Sequence, residues 1–407
     1  VSSNRRHSCF CWAWSWLWAL LLATAAWGRA SESLRADYTR EGLKLQSDDG
    51  DFTAVVNARA QVRSSWPFSR RPRTAQQFDA ENKHDLRLRR ARLKASGQAG
   101  APWIEYGYEH DLIDGRLLDL RVDIGPKWLR LRAGQWKADY SRERVDSSGE
   151  LQLVDRSIVN RPFTIDRQKG AMALGRVGED ERWDSQYFAG VFTGHGRSLS
   201  PEQTTPGAAD DGEPLWMLRY QWNALGGGVE FSQSDLERSA TPRLSMAVGA
   251  SGNSSRYTRF SSGGGGQLEG FDPGSPGRYR IRQQVEDVAF QYRGFSAQHE
   301  FHWKSIFDHV RATRTELRGS YTQAGLFPSV WTKRIPEQLE VAGRFAFVDR
   351  RGSGERNTLR EFSAAVNWFF DGHRHKLSAQ LSRYSLQGTT GARRSTPAFR
   401  AQWDLTL

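Results

Sequence analysis

The chain has 407 residues, with 58 Lys+Arg against 46 Asp+Glu, 39 Gly, 14 Pro and 12% aromatics. Two cysteines exclude a disulfide scaffold or a Cys-rich zinc protein. A mean hydropathy of −0.67 excludes a bundle of membrane helices, each of which needs roughly 20 apolar residues. The aromatic content excludes a disordered chain, so an all-β protein fits, either a soluble sandwich or an outer-membrane barrel.

Residues 1–30 read as a signal peptide. Arg5, Arg6 and His7 form a positive start, CFCWAWSWLWALLLATAA (9–26) is an apolar core, and Ala23-Thr24-Ala25 and Gly28-Arg29-Ala30 offer small-residue cleavage sites. Both cysteines, Cys9 and Cys11, lie in this segment. Its removal takes away Arg5, Arg6 and Arg29 and no acid, so a net charge of +12 becomes +9. Residues 31–51 are expected to be a short periplasmic lead-in, and 52–407 the folded body.

From residue 52 on, the dominant pattern has period two. Ala54, Val56, Ala58, Ala60 and Val62 alternate with Val55, Asn57, Arg59, Gln61 and Arg63. Leu118, Leu120, Val122 and Ile124 alternate with Asp119, Arg121 and Asp123, and Leu129 and Leu131 alternate with Arg130 and Arg132. Phe295, Ala297, His299, Phe301 and Trp303 do so later, followed by Leu339–Phe347 and Phe362–Phe370. Alternation places one row of side chains on each face of a strand. Segments of roughly ten residues, with a charged polar row, are the pattern of a transmembrane barrel that turns its polar row to a lumen. Tryptophans near the segment ends (103, 128, 136, 183, 216, 222, 331, 368 and 403) fit interfacial girdles. The final segment, Phe399 to Leu407, is amphipathic and ends on an apolar residue, as barrel proteins present to their assembly machinery.

With an even strand number and both termini in the periplasm, the segments number sixteen. The long connections 65–84, 138–168, 194–213 and 252–280 then fall outside, and the tight turns fall inside. Residues 227–235 also read as a strand, but counting them would reverse every later loop, so they are assigned to a periplasmic connection. The alternation slips between Leu88 and Ala91 and between Val285 and Val288, and β-bulges are expected there.

The segment LRLRAGQWKADYSRERVDSSGELQLVDRSIVNRPF (129–163) resembles the hallmark of the phosphate-selective porin O/P family. RLRRARLKASG (87–97), GSYTQAGLF (319–327) and EFSAAVNWFF (361–370) resemble its other blocks. The resemblance implies a sixteen-stranded outer-membrane barrel, a homotrimer, with a long third loop folded into the lumen. Loop 138–168 is the third outer loop by parity as well.

A porin performs no bond chemistry; lumen charge and constriction set its selectivity. Arginine suits an anion path because its planar fork stays charged and donates bidentate hydrogen bonds. The inward row of the first five strands holds Arg59, Arg63, Arg92, Lys94, Arg121, Arg130 and Arg132. Arg87 joins them, with Arg89 or Arg90 depending on the bulge. Glu105, Glu109, Asp119 and Asp123 share those faces, leaving a positive excess. The later strands read as balanced: Glu300 with Lys304, Glu316 with Arg318, Glu340 with Arg344. Loop 138–168 is mixed, with Arg142, Arg144, Asp155, Arg156 and Arg161 as constriction candidates. An acidic loop opposite a basic wall would set a field across the pore. Arg70, Arg71 and Arg73 of loop 65–84 form either a basic vestibule that concentrates anions or a lipopolysaccharide contact.

The expected function is passive diffusion of small anions, phosphate or polyphosphate first, with a general or sugar/organic-acid porin as the alternative. Outer-membrane lipid and lipopolysaccharide are the expected surroundings, and no cofactor or metal is expected. An enzyme is disfavoured because neither a G-x-S-x-G elbow nor an H-E-x-x-H helix occurs, and His299 and His302 fall on opposite faces of one strand. A nucleic-acid binder is disfavoured because the basic balance comes without a basic helix or stacking motif.

Overall fold

The computed structural model describes residues 34–79, 83–179, 181–194, 196, 213–259, 266–352, 355–389 and 391–407. The expected signal peptide lies outside the described residues. A hairpin, β1 (Leu34–Thr39) and β2 (Gly42–Ser47), precedes sixteen strands. These are β3 (Phe52–Trp66), β4 (Asp85–Ala99), β5 (Ile104–Asp111), β6 (Arg116–Ile124), β7 (Arg130–Lys137), β8 (Arg167–Val177), β9 (Ser185–Phe192) and β10 (Leu215–Leu225), followed by β11 (Arg243–Ser255), β12 (Tyr279–Tyr292), β13 (Phe295–Asp308), β14 (Thr313–Leu326), β15 (Leu339–Gly352), β16 (Glu355–Asp371), β17 (His375–Gln387) and β18 (Arg393–Thr406). Each expected segment coincides with one strand, and 227–235 lies in the connection between β10 and β11.

Every strand from β3 pairs antiparallel with the next, and β18 pairs back onto β3. Closure leaves no edge with unpaired N–H and C=O groups, a requirement for strands that cross lipid. The seam is shared. β18 covers Arg59–Trp66 of β3, Leu407 and Ala58 exchange backbone hydrogen bonds of 2.8 and 3.1 Å, and β2 covers Thr53–Val56.

The register corrects several expectations. The first bulge is present: Gln61 pairs with Arg90 and Val62 with Leu88, leaving Arg89 as the extra residue. The second is absent, since β12 pairs without a shift on both sides. Tyr279, Ile281, Val285 and Ala289 simply face inward with Gln283 and Asp287. An unforeseen bulge opposite Glu109 and His110 turns Leu118 inward, where it is buried. Trp136 also points inward, 5.3 Å from the ring of Phe192, rather than joining a girdle.

The interior is therefore not wholly polar. Met172, Phe188, Phe192, Leu215, Met217, Ile281 and Val285 of β8–β12 pack with Tyr140, Ile158, Val159, Phe163 and Ile165 of the third outer loop in one buried cluster. Outside, the apolar band ends abruptly on the later strands. Phe347, Phe362, Leu381 and Phe399 are followed toward the outer end by Asp349, Arg360, Arg383 and Pro397. Glu316 and Arg318 lie above that boundary on the exterior face of β14, not in the lumen.

Candidate functional site

The third outer loop, residues 138–166, folds into the barrel and carries two one-turn helices, α1 (Arg142–Val145) and α2 (Asn160–Phe163). Most of it is buried, so its backbone groups need partners in place of water. The walls supply them. Glu300 on β13 accepts from Ser141 Oγ at 2.8 Å and from the Glu143 N–H at 2.6 Å. Glu361 on β16 accepts from the Ile158 N–H at 2.9 Å and from Arg344 Nη2 at 2.5 Å. Glu340 on β15 accepts from Gln152 Nε2 at 2.8 Å. Lys304 donates to the Pro162 carbonyl at 3.0 Å, and Lys376 to those of Gly149 and Leu151 at 2.9 and 2.8 Å. Two glycines make room: a Cβ on Gly319 would lie 2.4 Å from the Phe163 ring, and one on Gly325 2.0 Å from Gln152 Nε2.

Two of the three pairs that read as balanced on the later strands, Glu300 with Lys304 and Glu340 with Arg344, thus serve the loop or its supports instead. Glu300 pairs with His302, not Lys304, and Arg344 pairs with Glu361, not Glu340. The connection between β10 and β11 rises to meet the same loop. The carbonyls of Val229 and Glu230 accept from Arg142 Nη1 at 3.2 and 3.1 Å, and Gln233 Nε2 donates to Asp146 at 2.9 Å.

The expected basic wall divides into two groups. Arg59 and Arg63 hold the loop: Arg59 donates to Ser148 Oγ at 2.7 Å, and Arg63 pairs with Asp155 at 2.8 Å and with the Val154 carbonyl at 3.0 Å. Arg92, Arg121, Arg130 and Arg132 lie against acids of the same wall. Arg92 bridges Glu109 at 2.6 Å, Arg130 bridges Glu105 at 2.6 Å, and Arg132 meets Asp123 at 2.5 Å and Asp139 at 3.3 Å. Arg121 also pairs with Asp123. Arg167, at the start of β8, bridges Asp119 at 2.6 Å and Glu109 at 3.2 Å. Among the described residues, Arg59, Arg90 and Lys94 have no carboxylate within ion-pair distance; Arg90 donates to Gln61 Oε1 at 2.6 Å.

The loop's own charges are mostly tied. Arg142 is wholly buried against Asp287 (3.2 Å) and Gln221 (3.1 Å), Arg144 pairs with Asp166, and Arg156 donates to the Glu143 carbonyl at 2.7 Å. Arg161 reaches Glu269 of the long outer loop between β11 and β12 at 2.8 Å. Burial pushes the Asp146 carboxyl up to about 7 against the pull of Arg142, and it pushes Glu143 up as well. Burial would raise Asp155 too, but Arg63, Arg400 and Arg71 around it hold it well below the usual carboxylate range.

The sequence reading missed Arg219, Arg400, Lys376 and Asp287. Alternation marks Arg400, Gln402 and Asp404 as an inward row, so that signal was available. Arg219 was hidden because its inward neighbours Leu215 and Met217 are apolar. Among the described residues, no three His, Cys, Asp or Glu side chains gather as metal ligands.

The barrel is similar to solved outer-membrane channels at low identity. A loop L8 deletion form of OmpT, an outer membrane protein of Vibrio cholerae, has a TM-score of 0.55 and 8% identity, covering 87% of this chain and 99% of that one. An anion-selective porin from Comamonas acidovorans has a TM-score of 0.54 and 9% identity, covering 87% and 98%. The outer membrane channel DcaP of Acinetobacter baumannii has 0.54 and 9%, covering 89% and 99%. No curated protein sequence matches the chain. The sequence profile of phosphate-selective porin O and P, however, matches residues 59–403, nearly the whole barrel. With a closed barrel, an in-folded third loop and a lumen lined by arginines, the chain belongs to the phosphate-selective porin O and P family of the bacterial outer membrane.

Proposed function

We propose that this porin passes small anions, phosphate or polyphosphate foremost, down their gradients along the wall formed by β3–β8. The supporting observation is the pair Arg90 and Lys94, inward cations of β4 without a carboxylate at ion-pair distance among the described residues, beside Arg59, whose guanidinium likewise meets no such carboxylate and is held by the hydroxyls of Ser147 and Ser148. The bridged arginines beside them, Arg92, Arg121, Arg130 and Arg132, extend the path, and Asp155 and Arg156 of the third loop face it. Fixed positive charge in a narrow, poorly hydrated lumen concentrates anions and excludes cations. The Comamonas channel with the same barrel is an anion-selective porin, which agrees with this reading.

Reversal potential in asymmetric KCl tests it across a planar bilayer. An anion-selective value is expected, and a cation-selective value would sink the proposal. Block of chloride current by millimolar phosphate is expected; its absence with anion selectivity retained would leave a general or organic-acid porin. The proposal includes a homotrimer embedded among lipopolysaccharide, checked by mass measurement in detergent. It also includes removal of residues 1–30, checked by N-terminal sequencing of the membrane form.

A further inference from the structure

Above the buried loop, on the outer side, lies a cavity of about 390 Å³. One side is a continuous apolar strip of the inner wall. Val348 of β15 is in register with Leu359 of β16, and Leu359 with Leu386 of β17, while Leu317 of β14 lies beside them. The other side is cationic: Arg71 and Arg73 from the first outer loop and Arg161 from the third. Arg350 of β15 sits at the rim, its guanidinium 4.8 Å from the Phe271 ring. The one carboxylate among the described lining residues is Glu269, and it bridges the cationic side, 2.8 Å from Arg161 and 3.4 Å from Arg73. Glu269 is 36% exposed, so its side chain has room to swing toward solvent.

Inorganic phosphate would use the guanidinium groups and leave the apolar strip idle. A cavity of this size, with an apolar wall and a few convergent polar groups, has the general form of an organic ligand site. We propose that the vestibule binds a compact organic anion, a carboxylate on a hydrocarbon body, whose head displaces Glu269 from between Arg73 and Arg161 and whose body lies on Leu317, Val348 and Leu359. Arg71 has Glu361 at 3.5 Å, which leaves Arg73 and Arg161 to share Glu269; burial and the neighbouring Arg161 pull Arg73 down to about 10 against the pull of Glu269. This site is separate from the wall of β3–β8, so it does not depend on the phosphate reading.

Isothermal titration of the detergent-solubilised porin tests it without needing current, using cyclohexanecarboxylate, acetate and phosphate as probes. The two carboxylates share a head and differ in body, so the larger should bind at least about 30-fold more tightly if most of its ring is buried. Glu269→Gln removes the resident competitor and should tighten cyclohexanecarboxylate by roughly tenfold, the scale of one charge-assisted hydrogen bond. Val348→Thr keeps the shape and should weaken cyclohexanecarboxylate while leaving acetate unchanged. Equal affinity for the two carboxylates, phosphate binding as tight as cyclohexanecarboxylate, or no gain in Glu269→Gln would each overturn the proposal. A cation-selective channel that still binds cyclohexanecarboxylate would refute the anion pathway and leave this site standing.

Discussion

The two sides of the barrel use charge differently. Strands β5–β9 run from 8 to 11 residues, and their inward arginines meet acids one or two strands away on the same wall. Strands β11–β18 run from 13 to 17 residues, and their inward acids and lysines meet the backbone of the third loop. An arginine facing a pore and a glutamate facing a pore look alike in an alternating sequence. Only the path of the loop separates a charge left on the wall from a charge consumed in holding the loop. Buried carboxylates such as Glu300 and Glu361 are costly unless satisfied, and here the loop satisfies them.

The sharpest way to break the contrast is Glu300→Ala. It strips acceptors from Ser141, the Glu143 N–H and His302 in a buried setting, a loss on the order of 3–5 kcal/mol. The loop should detach on that side and single-channel conductance should rise severalfold, while the closed barrel persists by circular dichroism. Unchanged conductance would show that the long wall does not hold the constriction.

A smaller effect is expected for the short wall. Arg130→Glu or Arg132→Glu should move the reversal potential toward cations, and Arg344→Glu should move it less, because Arg344 is enclosed by Glu361 and Glu143. Equal shifts from the three variants would erase the distinction between the walls.

The smallest expected effect is on pH. The folded state holds the Asp146 carboxyl at about 7, above its ordinary 3.8, because burial disfavours its charge, with Arg142 and Arg156 opposing and Glu300 adding to the shift. The folded form therefore binds an extra proton between those values. The loop's hold is strongest at acid pH, weakens as pH rises through that window, and is level above it. Conductance should climb modestly from pH 5 to pH 8, less than about twofold for one site among many, and Asp146→Asn should flatten the climb. A wild-type profile that falls with pH would show the sign to be wrong.

Period two made the sixteen strands and their parity legible, because each strand in a lipid-facing barrel must separate its two rows. The reading failed where that separation lapses. At β12, Ile281 and Val285 face inward yet are apolar, since the folded loop offers Tyr140 and Phe163 to pack on, and the sequence alone suggested a bulge. At β14, Glu316 and Arg318 face outward yet are charged, because they lie above the apolar band. The candidate arginines of β3–β7 were legible as an inward row. Their partners were not, because cross-strand register and the loop's route decide which acid lies within reach of which guanidinium.

The outward boundary between apolar and charged residues also fixes how the barrel stands. The short strands are little longer than the apolar band itself, while β15 and β16 continue past Phe347 and Phe362 into charged residues. An excess of about six residues at some 3.3 Å each, tilted by about 40°, amounts to roughly 15 Å of extra height. The strand framework therefore has a slanted rim, a parapet on the side of β11–β18 above a low sill at β5–β9. Leu317, Val348 and Leu359 stand on the inner face of that parapet.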